Sequence, residues 1–340
     1  MILVTGGGFL GRAVIAQLLS QERPVRVFAR SENADLQAAG VEVVRGDIRN
    51  LEQVSAALRG CEAVIHTAAL AGIWGQESDY HAINVVGTEN VLASCRANNV
   101  TRLVFTSSPS VTFAGTPQSG VDENVPYPTK WLAPYPKSKA AAEQLVLAAH
   151  HSRNNDGSEL LTCALRPHLI WGPGDPHLVP RLIERAKTGQ LRRVGDGKNL
   201  IDMIYVDNAA EAHLQALDAL QPNSAVGGRA YFLSQGEPVN CWQWINDLLA
   251  LVKVPPVERG LSLGAAQMIG GVLETVHRLF RLSGEPRMTR FLAAQLGMDH
   301  YFDISAARRD FGFNPRVTTA EGMQLLGEWP NQQGRTIFAL

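Results

Sequence analysis

The chain has 340 residues, 31 basic and 32 acidic, for a formal net charge of −1, which excludes the one-signed field of a nucleic-acid binder. At 45% hydrophobic and 19% charged residues, it reads as an ordinary globular protein with room for a large α/β core and a smaller lobe. Cys61, Cys95, Cys163 and Cys241 are scattered without C-x-x-C spacing. That indicates neither a disulfide framework nor a zinc site and fits a reducing, cytoplasmic setting, with no leader expected because Met1 runs directly into a strand.

Strand-like runs "ILVT", "VRVFA", "VEVVRGD", "AVIHTAA" and "RLVFTSS" alternate with helical stretches Arg12–Gln21, Leu51–Leu58 and Asn84–Asn98. This alternation predicts a doubly wound parallel sheet. Between the first strand and helix, Gly6, Gly8 and Gly11 form G-x-G-x-x-G. Glycine permits the tight turn and the approach of backbone N–H groups to a pyrophosphate at the helix's positive end. G-K-[ST] is missing, which excludes a P-loop. An NAD site usually carries a carboxylate at the end of the second strand. Here Ala29-Arg30-Ser31 stands there, and Arg30 suits a 2′-phosphate, so NADP(H) is preferred with NAD(H) possible.

In "APYPKSKAAAEQLV", Tyr135 and Lys139 fall one turn apart on a helix opened by Pro136. A neighbouring ammonium favours the phenolate of a tyrosine that would otherwise ionise near pH ~10. The run "FTSSPSV" ends a strand, which brings hydroxyls to the carboxyl edge of the sheet. After about Arg166 glycine and proline become frequent, and "IDMIYV" and "RAYFLS" are expected to return to the main sheet.

The glycine turn, "GDI" after the third strand, "VIHTAA", "NVVGT", "YPKSK" and "RPHLIWGPGD" together resemble the extended short-chain dehydrogenases/reductases. Within them the chain resembles the 3β-hydroxysteroid dehydrogenase/isomerase branch, which includes sterol-4-carboxylate 3-dehydrogenases and bacterial 2-alkyl-3-oxoalkanoate reductases. "AGIWGQESDYHAINVVGTENVL", "LRPHLIWGPGD" and "ARRDFGFNP" are most similar to the latter, and the likeness runs from Met1 to about Pro315. It implies a Rossmann sheet with a C-terminal substrate lobe: 1–167 plus 201–236 for the dinucleotide, 168–200 plus 237–330 for the substrate, and a loose tail over 331–340. It implies Tyr135 as proton donor or acceptor, Lys139 as its partner and Ser108 on the substrate oxygen. Gly6, Gly8, Phe9, Leu10, Gly11, Asp47, Ile48, Ala68 and Pro167 would line the cofactor, while Asn84 is structural. The family spaces its glycines T-G-x-x-G-x-x-G, whereas Thr5 onward reads T-G-G-G-F-L-G, one residue shorter.

Under this resemblance the chain interconverts a ketone and a secondary alcohol at the 3-position of a hydrophobic substrate. A 2-alkyl-3-oxoalkanoate is preferred and a sterol is the alternative. Dehydration is disfavoured because Pro109-Ser110, not an acid, follows Ser108. Sugar-nucleotide epimerisation is disfavoured by Arg30 and the apolar second lobe; a non-catalytic NADP sensor is disfavoured by the intact Tyr135/Lys139 pair. Trp74, Phe113, Trp131 and Trp171 are candidates for a hydrophobic pocket or plain core. His168 and His177 lack further ligands at metal-binding spacing. In "LGAAQMIGGVLETVHRLFRL" (263–282) the apolar Ala265, Met268, Ile269, Val272, Val276, Leu279 and Phe280 recur at helical spacing. That is amphipathic, not transmembrane, and packing on the core is the leading reading, ahead of a lid and of peripheral membrane contact. A homodimer is compatible with the family.

Overall fold

The structure is a computed structural model that describes residues 1–333. Seven parallel strands form the central sheet in the order Glu42–Arg45, Val25–Ala29, Ile2–Thr5, Ala63–His66, Arg102–Thr106, Glu159–Pro167 and Ala230–Leu233. Most are buried apolar runs, as a sheet covered on both faces demands; Glu42–Arg45, at the edge, is polar and partly exposed. Alternation along each strand separates two cores. Ile2, Val4, Val27 and Ile65 pack with helices Phe9–Ser20 and Val206–Ala219. Leu3, Phe28, Val64 and Phe105 pack with helices Leu51–Ala57, Gly87–Ala97 and Pro134–Ala148. The strand order reverses between Ile2–Thr5 and Ala63–His66, which opens a crevice at their carboxyl ends.

Several elements depart from the sequence expectations. The first helix starts at Phe9 with Gly8 as its N-cap, three residues earlier than predicted. The helix expected over Asn84–Asn98 begins at Glu77 and passes through a π-helical turn, His81–Val86, before continuing to Ala97. Asn84 sits inside that turn, and its amide bonds the backbone N–H (2.7 Å) and carbonyl (3.0 Å) of Leu70 and the Ser138 hydroxyl (2.9 Å). It thereby ties a loop and two helices together.

Ala230–Leu233 joins the main sheet as expected, but "IDMIYV" does not. Ile204–Tyr205 pairs with Ile170–Trp171 in a separate two-stranded sheet, and Leu200–Ile201 enters a four-stranded sheet with Val239–Asn240, His300–Phe302 and Gln118–Val121. The apolar residues of "IDMIYV" serve a third core, in the C-terminal lobe, where Tyr205 and Trp244 each pack edge-on to Trp171. The final helix, Thr319–Gln333, occupies the start of the expected 331–340 tail, and 334–340 lie outside the described residues.

The helix Leu263–Leu279 reverses the expected orientation. Its inner face is Ala266, Gly270 and Glu274, whereas Met268, Val272 and Leu279 are 67%, 58% and 73% exposed. Close approach explains the choice: a Cβ on Gly270 would stand 2.6 Å from the Thr289 carbonyl carbon. The Glu274 carboxylate accepts from the Arg290 backbone N–H (2.7 Å) and guanidinium (2.9 and 2.8 Å). A buried, fully bonded carboxylate between small residues takes the position that the apolar stripe was expected to fill.

Candidate active site

A cleft of about 570 Å³ opens at the carboxyl end of the first strands, bounded among others by Gly6, Gly7, Gly8, Arg30, Asp47, Ile48 and Ala68. Gly6 supplies the turn, with φ +92° and its N–H donating to the Phe28 carbonyl at 2.8 Å. Gly11 allows the close approach, since a Cβ there would lie 2.0 Å from the Gly6 carbonyl oxygen. Gly8 caps the helix with no side-chain bond, so the first helical N–H groups are left for an anion. The shortened glycine run has its own logic at Gly7. A Cβ there would stand 2.8 Å from Asn33 Oδ1, and that atom accepts from Arg12 (3.0 Å), which also bonds the Gly7 carbonyl (3.1 Å) and pairs with Asp35. Sequence reasoning missed this Arg12–Asn33–Asp35 brace, whose members are polar residues with no motif of their own.

The remaining cofactor candidates divide. Arg30 is exposed on the cleft wall, where its charge helps hold the Asp47 carboxylate below its ordinary value. The larger cause is Arg49, whose guanidinium reaches both Asp47 oxygens at 3.0 Å. Ile48 is 7% exposed and borders the cleft. Phe9 borders a separate depression with Arg12 and Pro173. The Leu10 side chain is packed in the core and does not border the cleft. Pro167 is buried at the end of its strand, paired in register with Leu233.

A smaller cavity of about 160 Å³ contains Ser108, Ser110, Tyr135, His168 and His300 among walls that include Ile73, Phe113, Phe291 and Phe302. Tyr135 and Lys139 occupy the helix Pro134–Ala148, one turn apart as predicted. Burial pushes the Tyr135 pKa up to about 12, against an opposing pull from the Ser108 hydroxyl in the same pocket. Ser108 Oγ also lies 2.9 Å from Ser110 Oγ, whereas Ser107 is buried and its hydroxyl has no partner. Of the two adjacent serines, Ser108 is therefore the one that meets the tyrosine.

Lys139 is 2% exposed. Its ammonium donates to the Thr106 carbonyl at 2.6 Å and lies 3.9 Å from the centre of the Phe105 ring. Burial lowers its pKa to about 7, against an opposing pull from Glu143 one turn further on. Glu143 is itself bound to Arg166 (2.6 and 3.0 Å) and the Tyr127 hydroxyl (2.6 Å). The sequence spacing Tyr135–Lys139–Glu143 contains this signal: one helix face carries all three.

The polar end of the pocket joins the two lobes. His300 Nε2 donates to the Gln295 carbonyl at 2.6 Å, and burial lowers its pKa to about 3, so its Nδ1 is left as an acceptor. His168 donates from Nδ1 to Asp202 (2.6 Å), its Nε2 lies 3.2 Å from His300 Nδ1, and Asp202 also accepts the Phe302 N–H (2.9 Å). This accounts for His168 as a bonded loop group. Of the aromatic candidates, Phe113 lines the pocket, edge-on to Phe291. Trp74 packs on His277, and Trp171 belongs to the core of the C-terminal lobe; Trp131 is half-buried.

A crevice at the reversal of strand order, a glycine turn with an uncapped helix, and a Tyr–Lys pair facing a hydroxyl make a dinucleotide-dependent redox site. The 3-beta hydroxysteroid dehydrogenase/isomerase family matches residues 2–258. The chain belongs to that family. It is an NAD(P)-dependent oxidoreductase of the extended short-chain dehydrogenase/reductase type. A 2-alkyl-3-oxoalkanoate reductase of Stenotrophomonas maltophilia is 50% identical over 328 residues, covering 96% of this chain and 98% of the relative. One from Shewanella oneidensis is 48% identical over 326 residues, 95% and 84% of the two chains. The mouse sterol-4-alpha-carboxylate 3-dehydrogenase, decarboxylating, is 31% identical over 95% of this chain and 88% of its own. Among solved structures, MoeE5 in complex with UDP-glucose and NAD superposes with a TM-score of 0.74 at 25% identity, covering 97% of this chain and 98% of that one.

Proposed function

We propose that the protein reduces the 3-oxo group of a 2-alkyl-3-oxoalkanoate with NADPH. The observation that carries this reading is the meeting of Ser108 and Tyr135 in one aromatic-walled pocket, with a buried lysine one helical turn from the tyrosine. The cleft fits a dinucleotide by its glycine turn and by Arg30 on its wall, which suits a 2′-phosphate. When bound, the reduced cofactor supplies a hydride to the carbonyl carbon.

Ser108 holds the substrate oxygen, and Tyr135 gives its proton to that oxygen as negative charge develops, so hydride plus proton yields the secondary alcohol. The raised Tyr135 pKa keeps that proton available at neutral pH. Lys139, anchored on the Thr106 carbonyl, places a positive charge that stabilises the phenolate left behind.

At about 160 Å³ the pocket is below the ~300–1,000 Å³ that encloses a whole drug-sized ligand. That favours a substrate inserting an oxo-acid head with alkyl chains leading outward, in preference to a rigid sterol skeleton. The two relatives near 50% identity carry the reductase name along nearly this entire chain. The test is NADPH oxidation by purified protein with a 2-alkyl-3-oxo fatty acid and a 3-oxosteroid side by side. Turnover of the first alone is expected; turnover of the steroid alone overturns the substrate assignment.

A further inference from the structure

Six of the ten large apolar side chains exposed in the described chain, Met268, Ile269, Val272, Leu279, Phe280 and Leu282, fall between residues 268 and 282. Met268, Val272 and Leu279 recur at i, i+4 and i+11 along one stripe of the helix Leu263–Leu279, opposite the buried Ala266, Gly270 and Glu274. Charges on this segment are equally one-sided. The two carboxylates between residues 268 and 287 are consumed within the protein, Glu274 by Arg290, and Glu285 by Arg181 and by Arg185 at 3.4 Å. Arg278, Arg281 and Arg287 remain exposed, and none makes an ion pair among the described residues. An apolar ridge edged by unpaired guanidinium groups matches the boundary between acyl chains and anionic headgroups.

We propose that this face docks on an anionic lipid surface, lying along it; no helix among the described residues is long and apolar enough to cross a membrane. A second copy of the chain is a poorer occupant. An isologous contact would press Arg278, Arg281 and Arg287 toward their own equivalents with no free carboxylate on the segment to offset them. The ridge also adjoins the pocket mouth. The Arg278 guanidinium lies 5.3 Å from the Trp74 ring, His277 packs edge-on against that ring at 6.0 Å, and the neighbouring Gly72 and Ile73 line the pocket. Docking therefore turns the pocket-lining loop toward the lipid, and it stands independently of which ketone is reduced.

The experiment is flotation of the full chain with phosphatidylcholine vesicles, either pure or containing about one-third phosphatidylglycerol. Binding to the anionic vesicles is expected to exceed binding to the neutral ones by about tenfold or more and to fall with added salt. The double variant Leu279→Ser/Phe280→Ser abolishes flotation, and Arg281→Glu/Arg287→Glu lowers it about tenfold or more. Both keep the wild-type NADPH dissociation constant, which verifies that they fold. No flotation of the wild type on anionic vesicles overturns the proposal, as does undiminished flotation of either variant. So does a wild-type dimer in gel filtration that Leu279→Ser/Phe280→Ser converts to monomer.

Discussion

Replacing Gly11 by alanine isolates the contact on which the glycine turn is built. The added Cβ would stand 2.0 Å from the Gly6 carbonyl oxygen and 3.2 Å from Thr67 Oγ1, about 1 Å inside any tolerable carbon–oxygen approach. Neither side has room to yield. Gly6 is held by its 2.8 Å bond to Phe28, and the Phe9–Ser20 helix is fixed in the core through Val14, Ile15 and Leu18. Overpacking of this kind costs about 1–3 kcal/mol, or a melting temperature lower by about 1–4 °C in a chain of this size. Because relief comes by prising the turn from the helix, cofactor affinity falls as well, by about tenfold for each ~1.4 kcal/mol lost. Gly8→Ala is the internal control: a Cβ there meets nothing within 4 Å and φ is −83°. That variant keeps its melting temperature but, with the new methyl at the edge of the cleft, binds NADPH less well. Thermal melts and fluorescence titration with NADPH read both quantities. Wild-type stability and affinity in Gly11→Ala would refute the reasoning.

Arg30→Ala is expected to weaken NADPH binding by about tenfold or more, as for one lost charge-assisted contact, with NADH nearly unaffected; equal losses for both cofactors remove Arg30 from phosphate recognition. Tyr135→Phe deletes only the hydroxyl that Ser108 meets. It should lower kcat by about a thousandfold while NADPH affinity stays within about twofold, as for loss of a proton donor; preserved turnover excludes Tyr135 as that donor. The pH profile of kcat/KM for reduction should decline above about 7, because Lys139 there loses its proton while Tyr135, near 12, keeps its own. A rate that stays flat to pH 9 in the free enzyme contradicts a requirement for charged Lys139.

What the sequence disclosed and what it withheld follow from the range of the interactions involved. Ile2–Thr5 and Ala63–His66 are buried along their length and Arg102–Thr106 from Leu103 onward, so their apolar runs announce them without reference to any neighbour. Gly11 and the Tyr135/Lys139 pair are equally local, since each depends on spacing within one turn and one helix. The Ile204–Tyr205 strand looks like another buried strand because it is one; only its partner, Ile170–Trp171, decides the sheet it enters. The bond from His168 to His300 links residues 132 positions apart, and the Asp202–Phe302 bond spans 100, separations at which no periodicity operates.

The helix Leu263–Leu279 is the most instructive case. Periodicity establishes that its apolar residues share a face, but not which side of the helix meets the protein. Gly270 and Glu274 decide that, through the close approach of Thr289 and the side chain of Arg290. The same reversal that defeats the core reading brings Met268, Val272 and Leu279 to the surface. It also accounts for the charges, because Glu274 is inside and paired. What is left outside is apolar and cationic. Helical residues of mixed character in a linear sequence thus become, once sorted by the close approach at Gly270 and the buried ion pair of Glu274, a surface with a single sign of charge.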